Sequence, residues 1–469
     1  MLRPPLLVLL SLCLYGAARA DEPPQPAGTP VLVAPAGGAD RAAEYRAFRA
    51  DFDAQRYNEA LPHAERVVAL TEALDAHHPD LAKALNNLGA TQYRLADFGA
   101  AEKAYGRALA LVEEAHGSLS AQLIAPLRGL ALTYEGSGRN EFAVALLERA
   151  VGISRRSLGL FNPQQTELLL PLIDGYTALA RWKDADRAHL YILQIAEHQY
   201  GPNDPRLFPA LQQLGRWYAN SLQRNAARQV WERLLAISRD PAHKDPIGQI
   251  VALRGIAEAY RLDYQLGPEA IEPPLPGDAP LMPGPLDADA ARRAALFGPE
   301  YALSSQGQDA LERALAIAEK LDPPAPTALG VVLVDLGDWF LIEGRTDRAL
   351  PYYARALPLL VPESGGAEAA GGPLSRPAPL LYRAPPSAQR HRDQPAALVV
   401  EKYAVAEFTV TAEGKVKDAK VVEGDATDAQ KSSFLFAIGR ATYRPRFADG
   451  KPVATDNVRY RESFRSMKS

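Results

Sequence analysis

Residues 88–109 read LGATQYRLADFGAAEKAYGRAL. From Phe98 the small and aromatic residues recur at helical spacing, through Ala101, Tyr105 and Ala108. A break at Ala96-Asp97 separates this segment from the one that opens on Leu88-Gly89, which predicts helix–turn–helix. The stretch then returns every 42 positions. One column runs Leu88, Leu130, Leu172, Leu214 and Ile256, a second Ala101, Ala143, Ala185 and Ala227, a third Tyr134, Tyr176, Tyr218 and Tyr260. Gly117, Gly159 and Gly201 form a fourth, and Pro163 and Pro205 a fifth. A fixed period of this size means stacked supersecondary units, none of which buries its apolar face alone.

Each column has a steric reading. Gly89 and Ala101 let two helices approach, because a larger side chain would hold them apart. Tyr134 and its equivalents fill the gap between one pair and the next. Gly and Pro, as in Gly201-Pro202-Asn203-Asp204-Pro205, stop one unit and start the next.

The first 20 residues form a separate device: Arg3, an apolar run from Leu6 to Leu14, and Ala18-Arg19-Ala20 read as a signal peptide cleaved before Asp21. A retained inner-membrane anchor is the rival reading. Its apolar run spans roughly 20 Å of helix against roughly 30 Å of hydrocarbon. Cys13 is the single cysteine of the 469-residue chain, and Leu12 before it is too bulky for the usual lipoprotein signal. The chain after residue 20 therefore has no disulfide, and burial must supply its stability. The net charge of −4 is spread along the sequence, with neither a nucleic-acid nor a polybasic membrane footprint.

The divisions expected are a signal peptide (1–20), a Pro/Gly/Ala lead (21–40), a repeat array (41–361), a linker (362–396) and a C-terminal domain (397–469). The array contains a Pro/Gly-rich insertion at 265–300, which includes PPLPGDAPLMPGPL. Seven prolines mark the linker and imply a tether, so that the last domain need not be docked on the array. In that domain Ala404–Thr411 and Val416–Val422 alternate around the turn Ala412-Glu413-Gly414, which predicts a hairpin. Thr427–Ala441 has helical spacing, Asp449-Gly450 marks a turn, and Asn457–Phe464 reads as a strand. This closed set predicts a small α+β fold that forms from residue 397 onward without the repeats.

The repeat strings resemble the tetratricopeptide repeat (TPR) family. The likeness rests on Leu-Gly … Tyr … Gly … Ala … aromatic … Ala, in residues 88–109 and again in DLGDWFLIEGRTDRALPYYARAL from Asp335. It implies a mostly α fold, a TPR α-solenoid of seven helix pairs, with Ala47, Leu88, Leu130, Leu172, Leu214, Ile256 and Leu336 in one column. In the family the first helix of each pair lines a groove that binds proteins or peptides. Carried onto this register, the groove residues are Asn86, Tyr93, Arg94, Arg128, Asp174, Gln212, Arg216, Asn220, Arg254, Glu258 and Arg261. Five arginines among them suit a carboxylate-bearing ligand. The plainer reading is a set of solvated helix faces.

The last seventy residues resemble the C-terminal domain of TonB-family proteins, through FTVTAEGKVKDAKVVEG from Phe408 and ATYRPRFADGKPV from Ala441. The resemblance implies a periplasmic protein of a Gram-negative cell envelope, with an outer-membrane receptor among its partners. It also implies pairing of an extended peptide, or of a second copy, along a sheet edge at Asn457, Arg459 and Arg461. TonB itself keeps a transmembrane anchor, whereas this chain begins with a cleavable signal. Two functions therefore stand: a periplasmic adaptor, or a TonB-type energy transducer with an atypical anchor.

Enzyme chemistry finds no footing. There is no Gly-x-Ser-x-Gly, His-Glu-x-x-His, phosphate loop or cysteine site in the sequence. No cofactor, metal or nucleic acid is expected. His77-His78, His116 and His198 fall at unit ends and read as turn residues. Trp182, Trp217, Trp231 and Trp339 lie at or beside the inter-helix columns and read as core.

Overall fold

The structure is a computed structural model that describes residues 39–266, 299–360, 372–389, 399–448 and 450–468. The signal peptide, nearly all of the lead, most of the 265–300 insertion and the ends of the 362–396 linker lie outside the described residues. Two compact units divide the chain after Pro202.

The first unit holds four helix pairs: α1 (Ala39–Asp53) with α2 (Tyr57–Glu72), α3 (Leu81–Arg94) with α4 (Phe98–His116), α5 (Ile124–Gly136) with α6 (Asn140–Leu158), and α7 (Thr166–Ala178) with α8 (Trp182–Tyr200). The second holds three: α9 (Phe208–Asn220) with α10 (Arg224–Arg239), α11 (Pro246–Leu266) with α12 (Pro299–Ala318), and α13 (Pro326–Ile342) with α14 (Thr346–Leu360). Second helices begin at Phe98, Asn140, Trp182 and Arg224, 42 residues apart each time. The alanine column lies where the helices of a pair meet: Ala101, Ala143, Ala185 and Ala227 are all buried, and so is Ala349 of the last pair.

Among the described residues, the turn inside six of the seven pairs, all but α11–α12, repeats a motif that the sequence hides. Gln55, Ala96, Gly138, Ala180, Leu222 and Gly344 all have positive φ. Around each, two backbone bonds close the first helix, as in Ala96 N–H to Tyr93 O at 3.0 Å and Asp97 N–H to Gln92 O at 2.9 Å. These are Schellman turns, and only two of the six use the glycine that the conformation favours. Between pairs, Gly117, Gly159 and Gly201 take positive φ. Ser120, Asn162 and Asp204 follow, and each caps a short 3-10 turn by accepting a backbone N–H two residues on.

Large side chains of second helices lodge against glycines of first helices. A Cβ added at Gly89 or Gly129 would run into the Tyr105 ring, and one at Gly215 or Gly255 into Trp231. Trp217, Trp231 and Trp339 are core, as the sequence predicts. Trp182 is not: it stands at the first position of α8 and is 39% exposed.

The C-terminal domain has a three-stranded antiparallel sheet in the order β3-β2-β7, formed by β2 (Val399–Val410), β3 (Val416–Glu423) and β7 (Thr455–Met467). The helix expected after the hairpin is α16 (Asp428–Gly439), started by a Thr427–Gln430 capping box. It buries Phe434 and Ile438 against Ala404, Ala406, Phe408, Val410 and Phe464. β5 (Arg446–Ala448) and β6 (Lys451–Val453) form a small ribbon.

One expectation needs correction and another is narrowed. Residues 372–389, assigned to the linker, contain β1 (Ala378–Leu381) and a one-turn helix, α15 (Pro386–Gln389), and β1 pairs with β4 (Thr442–Arg444). Ala388 belongs to the domain's core, with Tyr382 and Ala384 packed on it. Prolines set the composition of this stretch, but Pro379 lies in a two-stranded sheet with an irregular register, where a missing N–H is tolerated. The domain is also not merely tethered, because Arg444 forms a buried ion pair with Asp338 of α13.

Candidate functional site

The groove register falls into two sets, one in each unit. In the first unit Arg128, on α5, is only 6% exposed and donates to Glu167 at 3.0 Å. Burial lowers its pKa, and Glu167 opposes that shift. Arg94, at the end of α3, sits with its guanidinium 5.9 Å from the centre of the Tyr57 ring. The Nε atoms of Arg94 and Arg128 and the Oε1 of Gln92 are buried without a hydrogen bond among the described residues. Tyr93 is half-buried, and its hydroxyl is held neutral by burial and by the nearby Glu135. Asn86 is buried, while Asp174 reaches solvent from α7. Desolvation by neighbouring atoms nonetheless raises the Asp174 pKa.

In the second unit Gln212 and Arg216 are half-buried on α9 and Asn220 is exposed. Arg254, Glu258 and Arg261 of α11 do come together, in a polar pocket of about 30 Å³ that Leu311, Asp335, Asp338 and Trp339 also line. That volume suits one or two waters. Arg254 Nε meets Asp335 at 2.5 Å, and Arg261 meets Glu258 at 2.5 Å. Arg261 Nη1 also donates to the Leu380 carbonyl of β1 at 2.8 Å. Arg444 binds Asp338 through Nε at 2.9 Å and Nη2 at 3.0 Å, and the Tyr353 hydroxyl donates to the same carboxylate at 2.8 Å. Burial pushes the Asp338 carboxyl up, and the Arg444 guanidinium opposes it.

Three of the five groove arginines therefore already hold a carboxylate of this chain. Sequence reading missed the acids Glu167, Asp335 and Asp338. Asp338 was within reach: it stands two places after Leu336, the register position of Asp174, Arg216 and Glu258. Glu167 and Asp335 lie outside that register and show only when neighbouring helices are in place.

The third proposed set, Asn457, Arg459 and Arg461, lies on β7, an edge strand of its sheet. All three side chains are exposed. Arg459 pairs with Glu407 of β2 at 3.0 Å, and the Arg461 guanidinium stacks 4.0 Å from the centre of the Tyr403 ring. Asn457 has φ of 58° at the start of the strand. What an edge offers a partner is backbone, and these charges guard it against indiscriminate pairing. Among the described residues no group of three or more His, Cys, Asp and Glu is placed to hold a metal, and no helix is long and apolar enough to cross a membrane.

Residues 49–114 and 93–156 match the family model of the tetratricopeptide repeat. Among solved structures the chain is similar to kinesin-light-chain-type, nearly identical TPR-like repeats from Podosopora anserina, at 22% identity over 42% of this chain and 94% of that one, with a TM-score of 0.38. It is similar to BtubC (BKLC) from P. vanneervenii, at 18% identity over 56% and 93%, with a TM-score of 0.37. It is also similar to the TPR2AB domain of yeast Sti1, solved in complex with pHSP90, at 14% identity over 68% and 100%, with a TM-score of 0.22. No curated protein matches the sequence. Residues 49–156 carry tetratricopeptide repeats, and the chain as a whole is mostly helical with a small strand-containing domain at its end. Repeats of this family generally mediate protein–protein interactions.

Proposed function

We propose that this protein is a periplasmic, non-enzymatic adaptor whose repeats hold an extended segment of a partner protein along the first helices. The observation that carries the reading is the set around Arg94 and Arg128. Two guanidinium Nε donors and the Gln92 Oε1 acceptor are buried there without a hydrogen bond, beside the half-buried Tyr93. Buried polar groups are normally satisfied, so a peptide bearing a carboxylate or amide supplies what this face lacks. Arg254 and Arg261 in the second unit and Arg128 in the first are already held by this chain's acids, which centres the acidic-ligand reading on Arg94.

Photo-crosslinkers placed in cells at Tyr93 and Arg94 test this against Lys103 and Lys183, both exposed on second helices. Crosslinks to one defined partner segment should form from the first pair of positions and not from the second. Equal yields from both pairs would leave the groove without support.

A second surface is the β7 edge, thirteen residues long, whose backbone can take an added strand from an outer-membrane receptor or a second copy. Arg459→Pro or Arg461→Pro should abolish that binding while α16 stays folded. The alternative, an energy transducer, requires an N-terminus retained in the inner membrane.

A further inference from the structure

The array ends on a seat built for one more repeat. Tyr105 and Trp231 each lie between a glycine of their own pair and a glycine of the next first helix. Tyr353, the matching side chain of the last pair, meets Gly337 on the near side. No helix pair follows it among the described residues, and its ring is covered by Phe447 of β5, edge-on at 5.4 Å between centroids.

The helix in front of it tells the same story. α13 buries twelve positions between Ala328 and Leu341, far more than one apolar stripe. Its third side is closed by the C-terminal domain. A Cβ on Gly414, in the β2–β3 turn, would lie 3.1 Å from Leu341. Asp338 is 7% exposed and holds Arg444 with two bonds, while Arg444 Nη1 reaches the Pro373 carbonyl at 2.8 Å. Buried carboxylates are kept only with such partners. Repeat arrays need a terminal element whose outer face is polar, and the open face of the β3-β2-β7 sheet is one: Lys420, Glu407 and Arg459 form a charge row across all three strands.

We propose that the C-terminal domain serves as the eighth unit of the array: its Arg444 and Phe447 fill the seat that the next first helix would take, and the last pair folds only with that seat filled. This role is independent of what the groove or the β7 edge binds.

Hydrogen exchange of the full chain, read by mass spectrometry, tests it. Arg444→Glu sets a carboxylate against Asp338, and Phe447→Ala uncovers Tyr353. Both should speed exchange in α13 and α14 at least tenfold, with α3 unchanged. Lys451→Glu, an exposed charge change in the same domain, should leave α13 as it is. Should Arg444→Glu unfold the whole chain, the milder Phe447→Ala decides. Exchange in α13 and α14 within twofold of the parent protein in Phe447→Ala would overturn the proposal and leave the domain an independent attachment.

Discussion

Tyr105 dictates the size of its neighbours. A methyl at Gly129 would stand 2.2 Å from its ring, whereas a methyl at Gly106, one residue along the same helix as Tyr105, meets nothing within 4 Å. Gly106→Ala should stabilise by roughly 0.5–1 kcal/mol through helix propensity, and Gly129→Ala should cost about 1–3 kcal/mol through overpacking. Chemical denaturation of the two variants checks the opposite signs. His189, in the column of Tyr105 and Trp231, makes a second residue-scale prediction. Burial lowers its pKa from 6.5 to about 4. The unfolded chain takes this proton below about 6.5 and the folded one only near 4, so stability is full above the upper value and falls as pH drops toward the lower. That gap corresponds to roughly 3 kcal/mol. His189→Leu, which copies Leu147 of the preceding unit, should flatten the decline seen in denaturation midpoints between pH 6.5 and 4. The alanine column is readable in sequence because contact between helices admits one size. The αL column at Ala96, Ala180 and Leu222 is not, because backbone bonding from both sides imposes the conformation on residues that do not advertise it.

At the scale of elements, helices declared themselves by a period carried in every unit, and the hairpin by strict alternation around Gly414. What escaped was short and non-local. β1 and β4 are four and three residues long, and neither carries a period; each exists because the other lies beside it. The starting point chosen for an isolated C-terminal domain moves accordingly. A fragment from residue 397 lacks Tyr382, whose hydroxyl donates to the buried Glu462 at 2.6 Å, and lacks Ala388 from the core. It should give poorly dispersed NMR spectra, while a fragment from residue 372 should give dispersed ones. Equal dispersion from both would make β1 and α15 dispensable. Within pairs, Ala185→Trp should cost about 1–3 kcal/mol or more in denaturation, since Ala185 is fully buried.

At the scale of the molecule, sequence patterning reached the helix-pair array and the α+β end but not the bond between them. Asp338 and Arg444 are 106 residues apart, each ordinary in its own neighbourhood. The proposed export makes a plain prediction: N-terminal sequencing of periplasmic material should begin at Asp21, and intact Met1 in a membrane fraction would favour the energy-transducer reading. The bond bears on mechanics. β7 is zipped to β2 along eleven residue pairs, from Val399–Met467 to Val410–Thr455. A tug along β7 loads that ladder in shear, where the bonds resist together. From the sheet the load passes through the domain's core to β4 of the neighbouring two-stranded sheet, where Arg444 hands it to α13. Force applied at the last strand would therefore be felt first by the final repeat, and the buried ion pair would set the tension at which the two part.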